Sequence, residues 1–116
     1  MVQLLLSHNV ALDIQDEEGQ TALIHASADG HEAVVQLLLS HNDIALNVQY
    51  KGGDTALILA SLGGHEAVAR LLLARDDIII NAQNMSGQTA LICASTNGYE
   101  AVVQLLRHKF EYTHRY

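Results

Sequence analysis

The chain has 116 residues, 49% of them hydrophobic and 16% charged, and a formal net charge of −7. That length suits one domain with its own core, and the apolar runs are too short to cross a bilayer. Residues 1–50 contain seven acids and no Lys or Arg, which leaves no continuous cationic track for a phosphate backbone.

The first element predicted in chain order is a helix at the very start. Met1-Val2-Gln3-Leu4-Leu5-Leu6-Ser7-His8-Asn9 reappears as Val34-Val35-Gln36-Leu37-Leu38-Leu39-Ser40-His41-Asn42. The chain therefore begins inside a repeating unit, at its second helix, with Leu4 and Leu5 left partly uncovered. The first helix of the unit opens within Gly19-Gln20-Thr21-Ala22-Leu23-Ile24-His25-Ala26-Ser27, which returns at residues 53–61 and 87–95. Both intervals are 34 residues, and repeats of this length stack in a line and bury a core between neighbours.

Thr21, Thr55 and Thr89 are helix N-caps, because their hydroxyls can accept from the first free backbone N–H groups. These first helices are expected to run to about Ala28, Leu62 and Thr96 and to stop at Gly30, Gly64 and Gly98. A second helix follows over Glu32–Leu39 and its copies. Val34, Leu37 and Leu38 have the i, i+3, i+4 spacing of a one-sided apolar stripe, and Glu32, Glu66 and Glu100 suit the positive end of the helix dipole. Helices this short are marginal alone in water and need packing against the next pair. Asn9, Asn42 and Asp76 close the second helices. One extra residue near Asp43 and Asp77 falls in a surface loop, where length costs little. After Leu106 the segment Arg107–Tyr116 leaves the pattern and supplies the polar and aromatic residues of a terminal cap.

These residues resemble the ankyrin repeat, whose signature is Thr-Pro-Leu-His-x-Ala within about 33 residues of β-turn and two helices. Thr21-Ala22-Leu23-Ile24-His25-Ala26, Gly30-His31-Glu32, Gly64-His65-Glu66, Leu37-Leu38-Leu39, Leu46-Asn47-Val48-Gln49 and Ile80-Asn81-Ala82-Gln83 carry the likeness across roughly residues 2–107. The resemblance implies an all-α solenoid of helix-turn-helix units joined by β-turn or hairpin loops. The units fall at 1–15 (partial), 16–49, 50–83 and 84–116 (repeat and cap). Two positions depart from the signature. Ala22, Ala56 and Ala90 replace its proline, and Ile24, Ile58 and Ile92 replace its loop-bonding histidine, which suggests apolar packing there instead.

Comparison of the copies separates scaffold from surface. Gly19, Thr21, Leu23, Ile24, Ser27, Gly30, Val34 and Leu38 recur in all three copies, whereas variation gathers in the turns and on the first helix. The resemblance places the family's partner-binding groove on those columns. It points to Glu17, Glu18, Gln20, Asp29, Tyr50, Lys51, Asp54, Leu62, Met85, Gln88, Thr96 and Asn97, with Tyr50 as an exposed aromatic anchor. Glu17 and Glu18 would favour a basic segment.

The expected function is non-enzymatic binding of a protein or peptide. The alternative is a self-assembling scaffold, a homo-oligomer through the open N-terminal half-repeat, as a fragment or an engineered array. No nucleic-acid or membrane partner, cofactor or catalytic residue is expected. The cytosol, or else the nucleus, is the expected compartment, since no cleavable leader is visible and Cys93, alone, closes no internal disulfide.

Metal binding is not expected either. Equivalent residues in neighbouring repeats, such as His31 and His65, should lie roughly 8–10 Å apart, too far to share an ion at about 2 Å per bond. His31-Glu32-Ala33-Val34-Val35 begins like a zinc-protease helix but has Val35 where the second histidine is needed. The column His8, His41, Arg75 and Lys109 reads as electrostatic trim of helix C-termini. Cys93 reads as a partly buried apolar residue, and the sequon Asn84-Met85-Ser86 as chance.

Overall fold

A computed structural model describes residues 13–113. The half-repeat Met1–Asn9, with Leu4, Leu5 and His8, and the last residues His114–Tyr116 lie outside the described residues. Six helices are present among the described residues: α1 (Ala22–Asp29), α2 (Glu32–Leu39), α3 (Ala56–Leu62), α4 (Glu66–Leu73), α5 (Ala90–Thr96) and α6 (Glu100–Thr113). No strand forms among them.

Each first helix starts as the sequence predicts. The Oγ1 atoms of Thr21, Thr55 and Thr89 accept from the N–H groups of Ile24, Ile58 and Ile92 at 3.2, 3.1 and 3.2 Å. Each cap stabilises its helix by about 1 kcal/mol. The far end of α1 is closed by Gly30 at φ 73°, while the His31 N–H reaches back to Ala26 O at 2.9 Å. This left-handed closure needs a residue without Cβ, and it turns the chain back so that α2 runs against α1.

The helices form two rows. α1, α3 and α5 pack successively, as do α2, α4 and α6, and within each unit the two helices touch. Leu23, Ile24, Leu57, Ile58, Leu72 and Leu106 are among the fully buried side chains between the rows and units. Burying each such side chain contributes about 1.5–3 kcal/mol.

Two expectations need correction here. On α2 the buried stripe is Val35 and Leu38, whereas Val34 and Leu37 are exposed. On α4 and α6 the residues equivalent to Val34, Val68 and Val102, are fully buried. The spacing is therefore right, but which member faces solvent depends on whether a described repeat lies on that side. Ile24 and Ile58 do pack in the core, but Ile92 in the last described repeat is exposed, because no further described repeat covers it.

The C-terminal segment differs from the earlier second helices. Phe110 stands where Asn42 and Asp76 follow the earlier second helices, so the turn-forming side chain is missing there. The segment leaves the repeat there, and the chain continues as helix to Thr113.

The loop carrying the extra residue is anchored as well as exposed. Asp43 and Asp77 face solvent, but Ile44, Leu46 and Ile78 beside them are buried in the core.

Candidate interaction surface

Each unit begins with a tight hairpin turn. The N–H of Asp16 donates to Gln20 O and that of Gly19 to Asp16 O, both at 2.9 Å, with Gly19 at φ 84°. Tyr50–Asp54 and Asn84–Gln88 repeat the pattern. A type I turn followed by a left-handed glycine closes such a three-residue loop. Asp16 Oδ1 accepts from the N–H groups of Glu18 and Gln20, and Asn84 Oδ1 does the same for Ser86 and Gln88. These side chains hold the turn shut as Asx turns.

The turns are joined in a row. Lys51 N–H donates to Glu18 O at 2.9 Å and Met85 N–H to Gly52 O at 3.2 Å. Gln49 Nε2 bridges Gly53 O and Gln83 O at 2.9 and 2.8 Å. The turns also lean on the first helices: His25 Nε2 of α1 lies 2.9 Å from Asp16 Oδ2. Turn tips and first-helix row therefore share one side of the stack.

This regular coupling of a capped helix pair to a bridged hairpin, repeated every 34 residues, accords with the family comparison. The model for ankyrin repeats in three copies matches residues 1–50 and 42–115. The chain belongs to the ankyrin repeat family. No curated protein matches it. Ankyrin repeats are in general protein–protein interaction modules and are typically non-enzymatic.

On this ankyrin stack Glu17, Glu18, Lys51 and Met85 stand exposed at the turn tips, and Asp29, Leu62, Thr96 and Asn97 are exposed at the ends of the first helices. The other expected contact residues are engaged within the fold. Tyr50 is half-buried against the core rather than exposed, and its hydroxyl donates to Asp54 Oδ2 at 3.3 Å. Burial, and then the neighbouring Asp54 charge, push the Tyr50 phenol above its usual range. The second oxygen of Asp54 accepts from Asn84 Nδ2 at 2.8 Å. Gln88, also half-buried, accepts from Asn84 Nδ2 at 3.3 Å, and Gln20 is half-buried beside its turn. Asn97, although exposed, donates to Leu62 O of the preceding repeat at 3.1 Å. The sequence shows which columns vary but not which of them close turns.

The surface has a charge gradient along the stack. Glu17, Glu18 and Asp29 all belong to the first described unit, Lys51 marks the second, and Leu62 and Met85 supply exposed apolar area further on. Asp16 belongs to the acidic end: its hydrogen bond to His25 and those from the Gln20 and Glu18 backbone hold its carboxyl below the usual value. His31 Nε2 lies 3.8 Å from Asp29 Oδ2, and both side chains are exposed.

Arg75 is more than trim at a helix end. It reaches back one repeat to Leu39 O at 3.2 Å and Asn42 O at 2.9 Å, and it also pairs with Asp77 at 3.2 Å. His65 Nε2 lies 3.0 Å from Ala28 O, so this histidine is a strut between repeats. Together with Gln49 and Asn47, which bonds Asp77 O and Ile79 N–H, these groups link neighbouring repeats.

Cys93 is fully buried, with its thiol pushed up by desolvation, so it presents no surface for partners. Among the described residues no three His, Cys, Asp or Glu side chains gather to hold a metal. No helix among them is long and apolar enough to cross a membrane.

Proposed function

We propose that this chain is a protein-interaction module that grips a partner along the turn-tip and first-helix side of its stack. The observation that carries the reading is the sorting of the variable columns. The turn-closing atoms of Asp16, Tyr50 and Asn84 are spent inside the fold, while Glu17, Glu18, Lys51, Leu62 and Met85 vary between repeats and face solvent. Residues that differ while the scaffold beneath them repeats are where partner chemistry can be encoded at little cost to stacking. The partner is a protein or peptide with a basic segment against Glu17 and Glu18, for which the local charge speeds encounter, and an apolar segment against Leu62 and Met85. The cytosol or nucleus is the proposed compartment.

The test is capture of partners on the immobilised chain, with identification by mass spectrometry. The combined variant Glu17→Lys, Glu18→Lys, Leu62→Ser, Met85→Ser should lose capture while melting close to the parent, because all four side chains are exposed. Capture that survives this variant refutes the assignment of the surface.

A further inference from the structure

The second-helix row departs from its own repeat at one place. Ile44 and Ile78 follow the ends of α2 and α4 and are buried, 4% and 9% exposed, whereas the equivalent Tyr112 stays on α6 and is 66% exposed. The lengthened α6 and the neighbouring α4 wall a cleft of about 320 Å³. Arg70 and Leu73 line one side of it, and Leu105, His108, Lys109 and Tyr112 the other. Leu73 is buried and Leu105 half-buried, so apolar surface lies between exposed Arg70, His108 and Tyr112. Among the described residues no Asp or Glu lines this cleft. Lys109, half-buried and engaged within the fold, adds a second formal positive charge. In the α2–α4 pair the positions of Arg70, His108 and Tyr112 are held by Gln36, Ala74 and the buried Ile78. The cationic rim and the aromatic wall therefore belong to the α4–α6 pair and not to the repeat.

We propose that this cleft docks a short acidic segment of a partner protein. One large apolar side chain of the segment, leucine or aromatic, lies against Leu73, Leu105 and the Tyr112 ring, and flanking carboxylates meet Arg70 and His108. Size argues for such an occupant. Ligand clefts run from about 300 to 1,000 Å³, and one at the lower end takes a side chain or two rather than a folded surface. Charge argues for an acidic one, because the lining holds Arg70 and Lys109 against no acid. Arg70 Nη2 already donates to Glu66 Oε2 at 2.6 Å. An exposed pair of this kind is held weakly, and the guanidinium fork has further N–H groups for a second carboxylate. The net charge of −7 does not oppose docking. All seven acids of residues 1–50 belong to the first described unit, whereas the cleft is built by the second and third. Salt at physiological strength screens exposed charges beyond about 8 Å. The cleft lies in the second-helix row and the turn tips beside the first-helix row, so this inference stands or falls independently of partner capture at the tips.

The experiment is fluorescence anisotropy of labelled hexapeptides titrated with the full chain up to about 1 mM, a range that reaches weak binding. Each peptide has two central residues, leucine, phenylalanine or serine, flanked on both sides by acids or, in the matched set, by lysines. Acidic peptides with leucine or phenylalanine at the centre should bind, and the serine-centred and lysine-flanked ones should bind at least about tenfold more weakly. Arg70→Gln restores the residue of the sister repeats, and Tyr112→Ala removes the aromatic wall. Together they should weaken binding about tenfold or more, and Arg70→Gln alone should flatten its dependence on salt. The turn-tip variant Glu17→Lys, Glu18→Lys, Leu62→Ser, Met85→Ser should bind like the parent. Absence of binding across the acidic set, equal binding of the lysine set, or parental binding by the cleft variant overturns the proposal. So does loss of the peptide by the turn-tip variant, which would place it on the other side of the stack. Binding to phosphatidylserine vesicles but to none of the peptides would assign the cleft to a lipid surface instead. Circular dichroism verifies parental helicity. If Tyr112→Ala loses it, Ala74→Glu, at an exposed residue lining the same cleft, supplies the repulsive charge in its place.

Discussion

Alanine at Gly53 should destabilise the protein far more than alanine at Gly87, although both residues have nearly the same backbone. Their φ values are 83° and 76°, so either substitution forces Ala into the left-handed region, at a cost of about 1 kcal/mol. Beyond that the two sites differ. A Cβ at Gly87 meets nothing within 4 Å, whereas one at Gly53 lies 2.8 Å from Met85 N and 3.0 Å from Asn84 Cα of the next turn. Those atoms are backbone and cannot rotate away, so the turns must separate. Separation breaks the 3.2 Å bond from Met85 N–H to Gly52 O, a loss of about 1 kcal/mol, and loosens the packing around it. The expected totals are about 1 kcal/mol for Gly87→Ala and about 2–3 kcal/mol for Gly53→Ala. Melting followed by circular dichroism should then fall by about 5 °C and by about 10 °C or more, respectively. Gly19→Ala serves as a second control, since its Cβ finds only ordinary contacts of 3.5 Å and beyond. If Gly53→Ala melts with the two controls, the close approach of the turns does not contribute to stability and the reasoning fails.

Further outcomes are expected. Thr55→Ala removes the buried cap of the central first helix, and urea unfolding should show a loss of about 1–2 kcal/mol; a smaller effect would mean that water replaces the hydroxyl. Ser61→Ala should raise the urea midpoint by up to about 1 kcal/mol, because the Ser61 hydroxyl is buried without a hydrogen-bond partner. A lower midpoint would reveal a bond to that hydroxyl. Tyr50 should titrate above the usual 10.0, later than an exposed tyrosine by ultraviolet absorbance, and Asp54→Asn should bring it down part of the way. The folded phenol is raised, so the stability it contributes is present at neutral pH and is lost as pH climbs past 10.0 and through the folded value. A Tyr50 that titrates with the others contradicts its burial.

The elements set by local chemistry were legible in the sequence. Thr21 followed by small apolar residues, then Gly30, states a helix with its start and stop, and the structure has both to within a residue or two. The repeat spacing gave the stacking because one unit cannot cover its own apolar face. What could not be read was set by neighbours. Val34 and Val68 are the same residue in the same helical position, yet only the second is covered. Arg75 looked like a charge near a dipole, because its acceptors, Leu39 O and Asn42 O, lie more than 30 residues away. For the interaction surface, the comparison of copies found the variable columns. It could not tell Met85, which points into solvent, from Tyr50, whose ring packs and whose hydroxyl is held by Asp54.

Most of the side chains that span two repeats end on main-chain carbonyls: Gln49 on Gln83, Asn47 on Asp77, Arg75 on Leu39 and Asn42, and Asn97 on Leu62. A carbonyl is the same whatever side chain it belongs to. One unit therefore does not need to know the tip residues of the next in order to be held in register beside it. Units can be exchanged, duplicated or reordered as cassettes, and their tips can change, provided that the backbone path is kept. The pair Asp54 and Asn84, among the described residues, is an exception, a side-chain to side-chain link of 2.8 Å. It is there, between the second and third turns, that shuffling of units would require a matched change.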